Sequence, residues 1–317
     1  MTIAPGLAGH ELLKGHAAHS DFLLLLDPEC EIDMTAADIA AVCDRYAGLG
    51  AAGLIRVVRT AALPGTEAFR EAAPEAEWFL DCYRSDGSVA RAYGDALRLF
   101  AAVLDAEGLA PLADGESITV GTRGGARTVT RLGQLWAVDM GRVRLAEVAE
   151  PDADPIDEGW DTAMHIPGLE GDRAALSLEL VGRHAVVALL EEAELDAAAL
   201  GDAGETGGPA VATPETEQVE LVVPLGEHID PETGNRVGLA RIRMLEGDAA
   251  ARAEACCAVA VALHEWSGAE APADYLLRLD DGELGVHVDA APAGLREAGA
   301  EVLVTGPAVV IARATVA

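Results

Sequence analysis

Two Ala-rich segments with helical character constrain the fold of this chain more than any other feature. Residues 95–106 and 254–266 are apolar nearly all round, so each is predicted to be a buried helix. Each follows a series of strand-like segments that are rich in Val, Leu and Ile and are bounded by Gly, Pro or Asp. The sequence therefore predicts a weak internal repeat, in which each half runs through several strands into one buried helix.

The predicted strands cover most of the remaining chain. They are residues 22–26, 54–59, 77–83, 117–120, 126–131, 134–139, 176–181, 185–189, 218–224, 240–245, 275–279, 285–289 and 301–312. Gly121–Gly125 is predicted to be a hairpin turn. Residues 191–200 are predicted to form an exposed helix, and residues 202–216 a polar loop. Thr35 is predicted to cap a further helix, whose apolar face is formed by Ile39, Val42, Cys43 and Tyr46.

Composition and charge narrow the functional classes. The chain of 317 residues is 50% hydrophobic, which suits one large domain or two of moderate size. Its net charge of -32 disfavours nucleic acids and anionic membranes as partners. The five cysteines have no paired spacing, and no early apolar run is long enough to span a bilayer. We therefore expect a soluble, cytoplasmic protein with reduced thiols.

No cofactor is expected. Lys14 is the only lysine in the chain. It lies before a strand and lacks the glycine run that would cradle a phosphate, so a pyridoxal phosphate Schiff base is not expected there. Neither CxxC nor HExxH occurs, and a metal site therefore has no support in the sequence.

Each predicted buried helix opens with a turn of small residues. The turns are Tyr93-Gly94-Asp95-Ala96 and Arg252-Ala253-Glu254-Ala255. The first N–H groups of a helix have no partners within it, so such a turn is suited to binding an anion. If the two turns face each other, they could bind one small zwitterion or dicarboxylate.

Three motifs and a connecting segment resemble the diaminopimelate epimerase family. They are residues 14–27 (KGHAAHSDFLLLLD), 84–88 (RSDGS), 305–309 (TGPAV) and 138–141 (VDMG). The resemblance extends over essentially the whole chain and implies an α/β fold of two pseudo-symmetric domains, each with strands wrapped around a central helix. It also implies an N-terminal domain of residues 1–141 plus 300–317 and a C-terminal domain of residues 142–299.

The same resemblance indicates that the family's catalytic thiols are replaced. The family uses two cysteines at helix N-termini, where the pKa of a thiol can fall towards neutrality. Alignment through the neighbouring motifs places Tyr93 and Arg252 at these two positions, and Cys257 matches only a non-catalytic cysteine. Family contacts to the substrate align with Ser20, Arg84, His184 and Gln218, and most of these differ from the family's residue types. The resemblance therefore implies an altered substrate.

Asp95 and Glu254 have two interpretations. Each lies two residues after a replaced thiol, so they can be an acid–base pair, with Tyr93 as a further proton donor. Alternatively, an acidic residue in the first turn simply complements the helix dipole, and Tyr93 fills the core. If both carboxylates remain ionised, they favour a ligand less anionic than a dicarboxylate.

The other candidates also have structural alternatives. Arg84 and Arg252 can clamp a ligand carboxylate or neutralise Asp95 or Glu254. His184 can bind substrate or support a strand. Cys256 and Cys257, flanked by Ala and Val, are predicted to be inert core thiols.

The functional hypothesis is a cofactor-independent isomerase in amino-acid or specialised metabolism, such as antibiotic biosynthesis. It would move a proton on an amino-acid or unsaturated imino-acid substrate. The alternative is a catalytically inactive homologue that acts as a binding or partner subunit. The expected partner is an amino-acid-like small molecule, and a second copy of the chain, giving a homodimer, is the candidate protein partner.

Overall fold

The computed structural model describes residues 3–90, 94–146, 159–199, 218–246, 251–291 and 294–317. The chain divides into two compact units. Unit 1 comprises residues 1–139, 249–252 and 305–317, and unit 2 comprises residues 140–248 and 253–304. None of the described helices is both long enough and apolar enough to cross a membrane.

Unit 1 is an eight-stranded arrangement with three helices among its described residues. Its elements are β1 (Glu11–Ala17), β2 (Ser20–Leu26), α1 (Ala36–Cys43), β3 (Gly53–Arg59), α2 (Glu67–Ala72), β4 (Trp78–Arg84), α3 (Gly94–Ala106), β5 (Ser117–Thr122), β6 (Gly125–Leu132), the first part of β7 (Leu135–Leu145), and β16 (Val309–Thr315). The strands follow the order β16-β1-β2-β3-β4-β5-β6-β7. The β2–β3 and β4–β5 pairs are parallel, and the other pairs are antiparallel.

Unit 2 repeats this arrangement. Its elements are β8 (Thr162–His165), β9 (Asp172–Leu180), β10 (Gly182–Ala188), α4 (Glu192–Ala197), β11 (Gln218–Ile229), β12 (Arg236–Glu246), α5 (Arg252–Ser267), β13 (Asp274–Leu279), β14 (Gly282–Ala290), α6 (Gly294–Ala298) and β15 (Ala300–Pro307). The strands follow the order β15-β14-β13-β12-β11-β10-β9-β8. The β10–β11 and β12–β13 pairs are parallel, and β8–β9, β9–β10, β11–β12 and β13–β14 are antiparallel.

The strand directions confirm the predicted repeat. From β1 to β6, and again from β9 to β14, successive pairs are antiparallel, parallel, antiparallel, parallel and antiparallel. A helix follows the second strand of each set, and the long helix α3 or α5 follows the fourth. The predicted fold class, α/β with two pseudo-symmetric units, is therefore confirmed.

Both long helices are buried because small side chains allow strands to approach them closely. Every residue of α3 from Gly94 to Ala101 is buried, as is every residue of α5 from Ala253 to Leu263. In unit 1, α3 contacts β1, β2, β3, β4, β6 and β16. Gly15 of β1 is required by this packing, since a Cβ there would lie 2.7 Å from Leu99 Cδ1 and 2.8 Å from the Val309 carbonyl oxygen.

Several local predictions are confirmed. The two buried helices were expected at residues 95–106 and 254–266, close to α3 and α5. Thr35 caps α1: its hydroxyl accepts from the Asp38 backbone N–H, and Asp38 accepts in return from the Thr35 backbone N–H. The predicted hairpin turn joins β5 to β6, with Thr122 and Gly125 as register partners.

Other local predictions are wrong. Tyr46 does not share the apolar face of α1, because the helix ends at Cys43 and Tyr46 is fully exposed. The Asp44 carboxylate accepts from the backbone N–H groups of Tyr46 and Ala47, which turns the chain away. The helix predicted at residues 191–200 is limited to α4, and the polar loop 202–216 lies outside the described residues.

The single strand predicted over residues 301–312 is also wrong. Those residues form β15 and β16, which are separated by Ala308. Pro307 has no N–H to donate to a ladder, and β16 pairs with β1. The sequence analysis also missed β1, β8 and the short helices α2 and α6.

Candidate functional site

Asp95 lies in the first turn of α3 and is fully buried. The Ser20 hydroxyl, at the start of β2, donates to Asp95 Oδ2 at 3.0 Å. The guanidinium of Arg98, one turn further along α3, pairs with Asp95 Oδ1, and both side chains of this pair are fully buried. The structure therefore brings Ser20 and Asp95 together and supplies Asp95 with a cation.

The partner of Asp95 was missed by the sequence analysis, which considered only Arg84 and Arg252 as cations for Asp95 or Glu254. The sequence spacing could have identified Arg98 as this partner, because Asp95 and Arg98 have the i, i+3 spacing that places two side chains on the same helix face. A nearby cation favours the ionised form of a carboxyl group. This pairing makes Asp95 a weaker base than an unpaired carboxylate would be.

Arg84 lies at the exposed end of β4. Its guanidinium donates to the Val89 carbonyl at 3.2 Å, across the turn of the RSDGS motif. Gly87 makes that turn possible: its φ is +81°, and a Cβ there would lie 2.3 Å from the Ala36 carbonyl oxygen. Tyr93, the predicted proton donor, lies outside the described residues.

Arg252, the first residue of α5, lies against the turn between β1 and β2. Its guanidinium Nη1 is 3.4 Å from the Ala18 carbonyl oxygen. Ala18 and His19 both have positive φ, as the compact turn of a two-residue hairpin requires. Ser20 follows this turn directly, so Arg252 contacts the segment that precedes the Asp95 partner.

In unit 2, His184 and Glu220 form a buried pair on two neighbouring parallel strands. The register aligns His184 of β10 with Gln218 of β11, and Glu220 lies two residues further on, on the same strand face as Gln218. His184 Nδ1 is 2.8 Å from Glu220 Oε1, and Nε2 is 3.2 Å from the Leu180 carbonyl oxygen. Both side chains have zero exposure.

The pKa of His184 is set by its burial and by the acceptor groups around it. Burial by itself lowers the pKa of an imidazole, but the charge of Glu220, its hydrogen bond, the Leu180 carbonyl and the charge of Glu254 outweigh burial and raise the pKa of His184 above its ordinary value. Glu254, in the first turn of α5, is 2% exposed. Two carboxylates from different elements, β11 and α5, therefore act on one buried histidine.

The sequence analysis named His184, Gln218 and Glu254 but missed Glu220. The alternation of side chains along a strand could have identified Glu220, because every second residue after Gln218 points to the same face. Gln218 begins β11 and is 9% exposed. Within the described ranges, its Oε1 is buried without a hydrogen-bond partner.

The cysteine thiols of this protein are buried or half-buried. Cys256 and Cys257 are fully buried in α5, and burial raises the pKa of the Cys43 thiol to about 12 and that of Cys30 above its ordinary value. Across the part of the chain that the structure describes, no group of three or more His, Cys, Asp or Glu side chains is arranged to hold a metal ion.

Comparisons with known proteins agree with this architecture. The sequence model of the diaminopimelate epimerase family matches residues 12–146. A diaminopimelate epimerase from Streptomyces coelicolor is 35% identical over 308 residues, which cover 95% of this chain and 93% of the relative. A chain with two repeated α/β units and this similarity over nearly its whole length falls in a known class of proteins. The protein belongs to the diaminopimelate epimerase family.

Solved structures with low sequence identity share the fold. A phenazine biosynthesis protein of the PhzF family from Bacillus anthracis has a TM-score of 0.63 and 10% identity, covering 96% of this chain and 98% of that one. A probable proline racemase from Agrobacterium radiobacter has a TM-score of 0.58 and 14% identity, covering 97% of this chain and 93% of that one.

Proposed function

We propose that this protein is a cofactor-independent isomerase of the diaminopimelate epimerase type, which moves a proton on an amino-acid or unsaturated imino-acid substrate. One observation carries the proposal: a buried carboxylate occupies the first turn of the long helix in both units, Asp95 in α3 and Glu254 in α5. Family membership supports it, because the relative with 35% identity is named as an epimerase.

Glu254 is the stronger candidate for the base. A carboxylate can take the proton beside a carbonyl, an imine or a conjugated diene, and the protonated acid can return it to the same or a vinylogous carbon. The proton only moves, so the step needs no oxidant. Glu254 lies in the first turn of α5, where the helix dipole favours the ionised carboxylate that can accept a proton.

Asp95 is proposed as the second proton-transfer residue, with Tyr93 as a further donor. The pairing with Arg98 keeps Asp95 ionised and lowers its basicity. Transfer at Asp95 would therefore depend on the Ser20 hydroxyl, which donates to its second oxygen. Asp95 and Glu254 are consequently proposed to contribute unequally.

The substrate is proposed to differ from LL-diaminopimelate. Arg252 aligns with a catalytic thiol of the family and remains protonated at neutral pH, so it cannot remove a proton. The proposed binding residues are Ser20, Arg84, His184, Gln218 and Arg252. Gln218 supports an amine- or imine-bearing ligand, because its buried Oε1 lacks a donor among the described residues.

Solvent deuterium exchange tests the proposal. Purified protein is incubated in D₂O with a panel of amino acids and unsaturated imino acids, and isotope incorporation is followed by mass spectrometry. Glu254→Gln is expected to lose about 10²–10⁴-fold in exchange rate, and Asp95→Asn is expected to lose activity as well. Cys257→Ala, a substitution in the same helix at a buried thiol, serves as the control and should retain most activity.

The second candidate function is a catalytically inactive homologue that binds a ligand or a partner subunit. Its supporting observation is the Asp95–Arg98 pair, in which the carboxylate is fully buried and already neutralised. A ligand that raises the melting temperature of the protein without any deuterium exchange would favour this alternative. Exchange that is abolished by Glu254→Gln would exclude it.

A further inference from the structure

A cavity with a volume of about 180 Å³ lies beside the carboxyl end of α5. Its walls come from the last two turns of α5, the end of β14 and the starts of α6 and β15. All of these segments belong to unit 2. The proposed base, Glu254, lies in the first turn of α5, about 15 Å along the helix axis from His264 on the cavity wall. The cavity therefore has no part in the proposed reaction.

We propose that this cavity binds a small alkylammonium ion, which is the protonated form of a primary amine with a short aliphatic group. The cavity volume equals that of about six water molecules, so it accommodates a ligand of roughly five or six non-hydrogen atoms. The inference is independent of the proposed function, because it uses neither Asp95 nor Glu254.

Apolar side chains line most of the cavity. Val261 of α5, Leu295 of α6 and Ala300 of β15 are buried residues on its walls. Ala290 and Ala291 add two further methyl groups. Transfer of an aliphatic group from water to such a surface is favourable and needs no hydrogen-bond partner. These walls therefore favour a ligand with an apolar portion.

The polar part of the wall favours a positive charge on the ligand. Glu265 contributes a carboxylate, and α5 ends at Ser267, two residues later. The carboxyl end of a helix carries a partial negative charge, and its last carbonyl groups have no partners within the helix. An ammonium group can donate three hydrogen bonds to acceptors of this kind. A carboxylate or phosphate ligand would instead be repelled.

His264 is held in place by residues outside the cavity wall. Its Nδ1 is 3.1 Å from the Pro272 carbonyl oxygen, and its ring packs edge-on against Tyr275, with 6.5 Å between the ring centroids. Because a carbonyl oxygen can only accept, Nδ1 carries the hydrogen in this contact, and Nε2 of the neutral ring is an acceptor. His264 thus adds a further acceptor to the cavity wall.

Titration with n-butylamine tests the proposal, and n-butanol and butyrate are the neutral and anionic probes of similar size. Binding is followed through the backbone amide resonances of ¹⁵N-labelled protein at constant ionic strength. n-Butylamine is expected to bind saturably and to shift the amides of Gly268 and Gly294, which lie on the cavity wall. n-Butanol should bind about tenfold more weakly, because it lacks the charge. Binding that does not saturate, or equal binding of the three probes, would overturn the proposal.

Glu265→Gln and Glu270→Gln are matched variants. Both remove one exposed carboxylate near the end of α5, but Glu270 is not among the described residues that line the cavity. Glu265→Gln should weaken the binding of n-butylamine about tenfold, because hydrogen bonds between charged groups are the stronger ones. Glu270→Gln should leave binding unchanged. Equal losses in the two variants would mean that the amine associates only with the acidic surface, and the proposal would then be wrong.

Ala291→Leu tests the cavity without a change of charge. Ala291 is half-buried on the cavity wall, so a larger side chain there occupies part of the space that the aliphatic group needs. The variant should bind n-butylamine more weakly than the wild type by about tenfold, since a ligand and a side chain cannot fill the same volume. Unchanged binding in Ala291→Leu would place the amine elsewhere and overturn the proposal.

Discussion

Arg98 lies one helical turn after Asp95, and the two side chains form an ion pair in which neither has any solvent exposure. Burial of either charge alone would carry a high desolvation cost, and the opposite charge of the partner offsets that cost. The two side chains are therefore compatible with a folded α3 only when both are present. Arg98 Nε and Nη1 are buried without hydrogen-bond partners among the described residues, so Asp95 is the group on which this cation depends.

Removal of the cation alone should be costly. Arg98→Met removes the buried cation that pairs with Asp95, and the free energy of unfolding should fall by about 3–5 kcal/mol. Urea denaturation measures the change. The double variant Arg98→Met/Asp95→Asn should recover part of the loss. Arg142→Met, which removes the half-exposed pair with Glu301, should cost at most about 1 kcal/mol. Equal losses for Arg98→Met and Arg142→Met would contradict this assignment.

Gly87 should tolerate substitution less well than Gly65. Both have φ of +81°, but a Cβ on Gly87 would lie 2.3 Å from the Ala36 carbonyl oxygen, whereas a Cβ on Gly65 has nothing within 4 Å. Gly65→Ala should therefore cost only the backbone strain, about 1 kcal/mol. Gly87→Ala adds a steric clash and should lower the melting temperature considerably more, which differential scanning fluorimetry can measure. Similar losses would mean that the turn shifts freely.

Stability should depend on pH through His184. The pKa of His184 is raised in the folded protein, so its protonation stabilises the folded state. This contribution to the free energy of unfolding is complete below about pH 6.5, the ordinary pKa of histidine, and is lost as the pH rises through the pKa of His184 in the folded protein. The free energy of unfolding of the wild type should therefore decline above neutral pH by more than that of His184→Gln. His287→Gln, which removes an exposed pair with Asp274, should follow the wild type. Parallel pH curves for all three proteins would exclude the raised pKa.

LL-diaminopimelate should not be epimerised by this protein. The residues aligned with the family's two thiols are Tyr93 and Arg252. A guanidinium group is not a base, and the reference pKa of a tyrosine is about 10. A coupled assay or deuterium incorporation at the α-carbon measures turnover. Clear turnover by purified protein would show that the alignment of Tyr93 and Arg252 with the family's thiols is wrong.

Local sequence patterns were sufficient to predict several elements of this fold. The all-round apolar composition of residues 95–106 and 254–266 predicted α3 and α5, because burial on every side requires it. Thr35 was recognised as a cap and Gly121–Gly125 as a turn, since both depend only on neighbours a few residues away. Family motifs then predicted the two repeated units.

Pairings between distant segments were decided only by the tertiary structure. His184 and Glu220 are 36 residues apart, and they meet because β10 and β11 pair in parallel in one register. The strand predicted at residues 301–312 divides into β15 and β16 because the second part pairs with β1. Hydrogen-bond ladders join strands regardless of their separation in sequence, so neither the partner nor the register can be derived from local periodicity. The chain's own patterns thus determined its two long helices, the cap at Thr35 and the repeat, whereas the pairing of His184 with Glu220 was determined by strand pairing and packing.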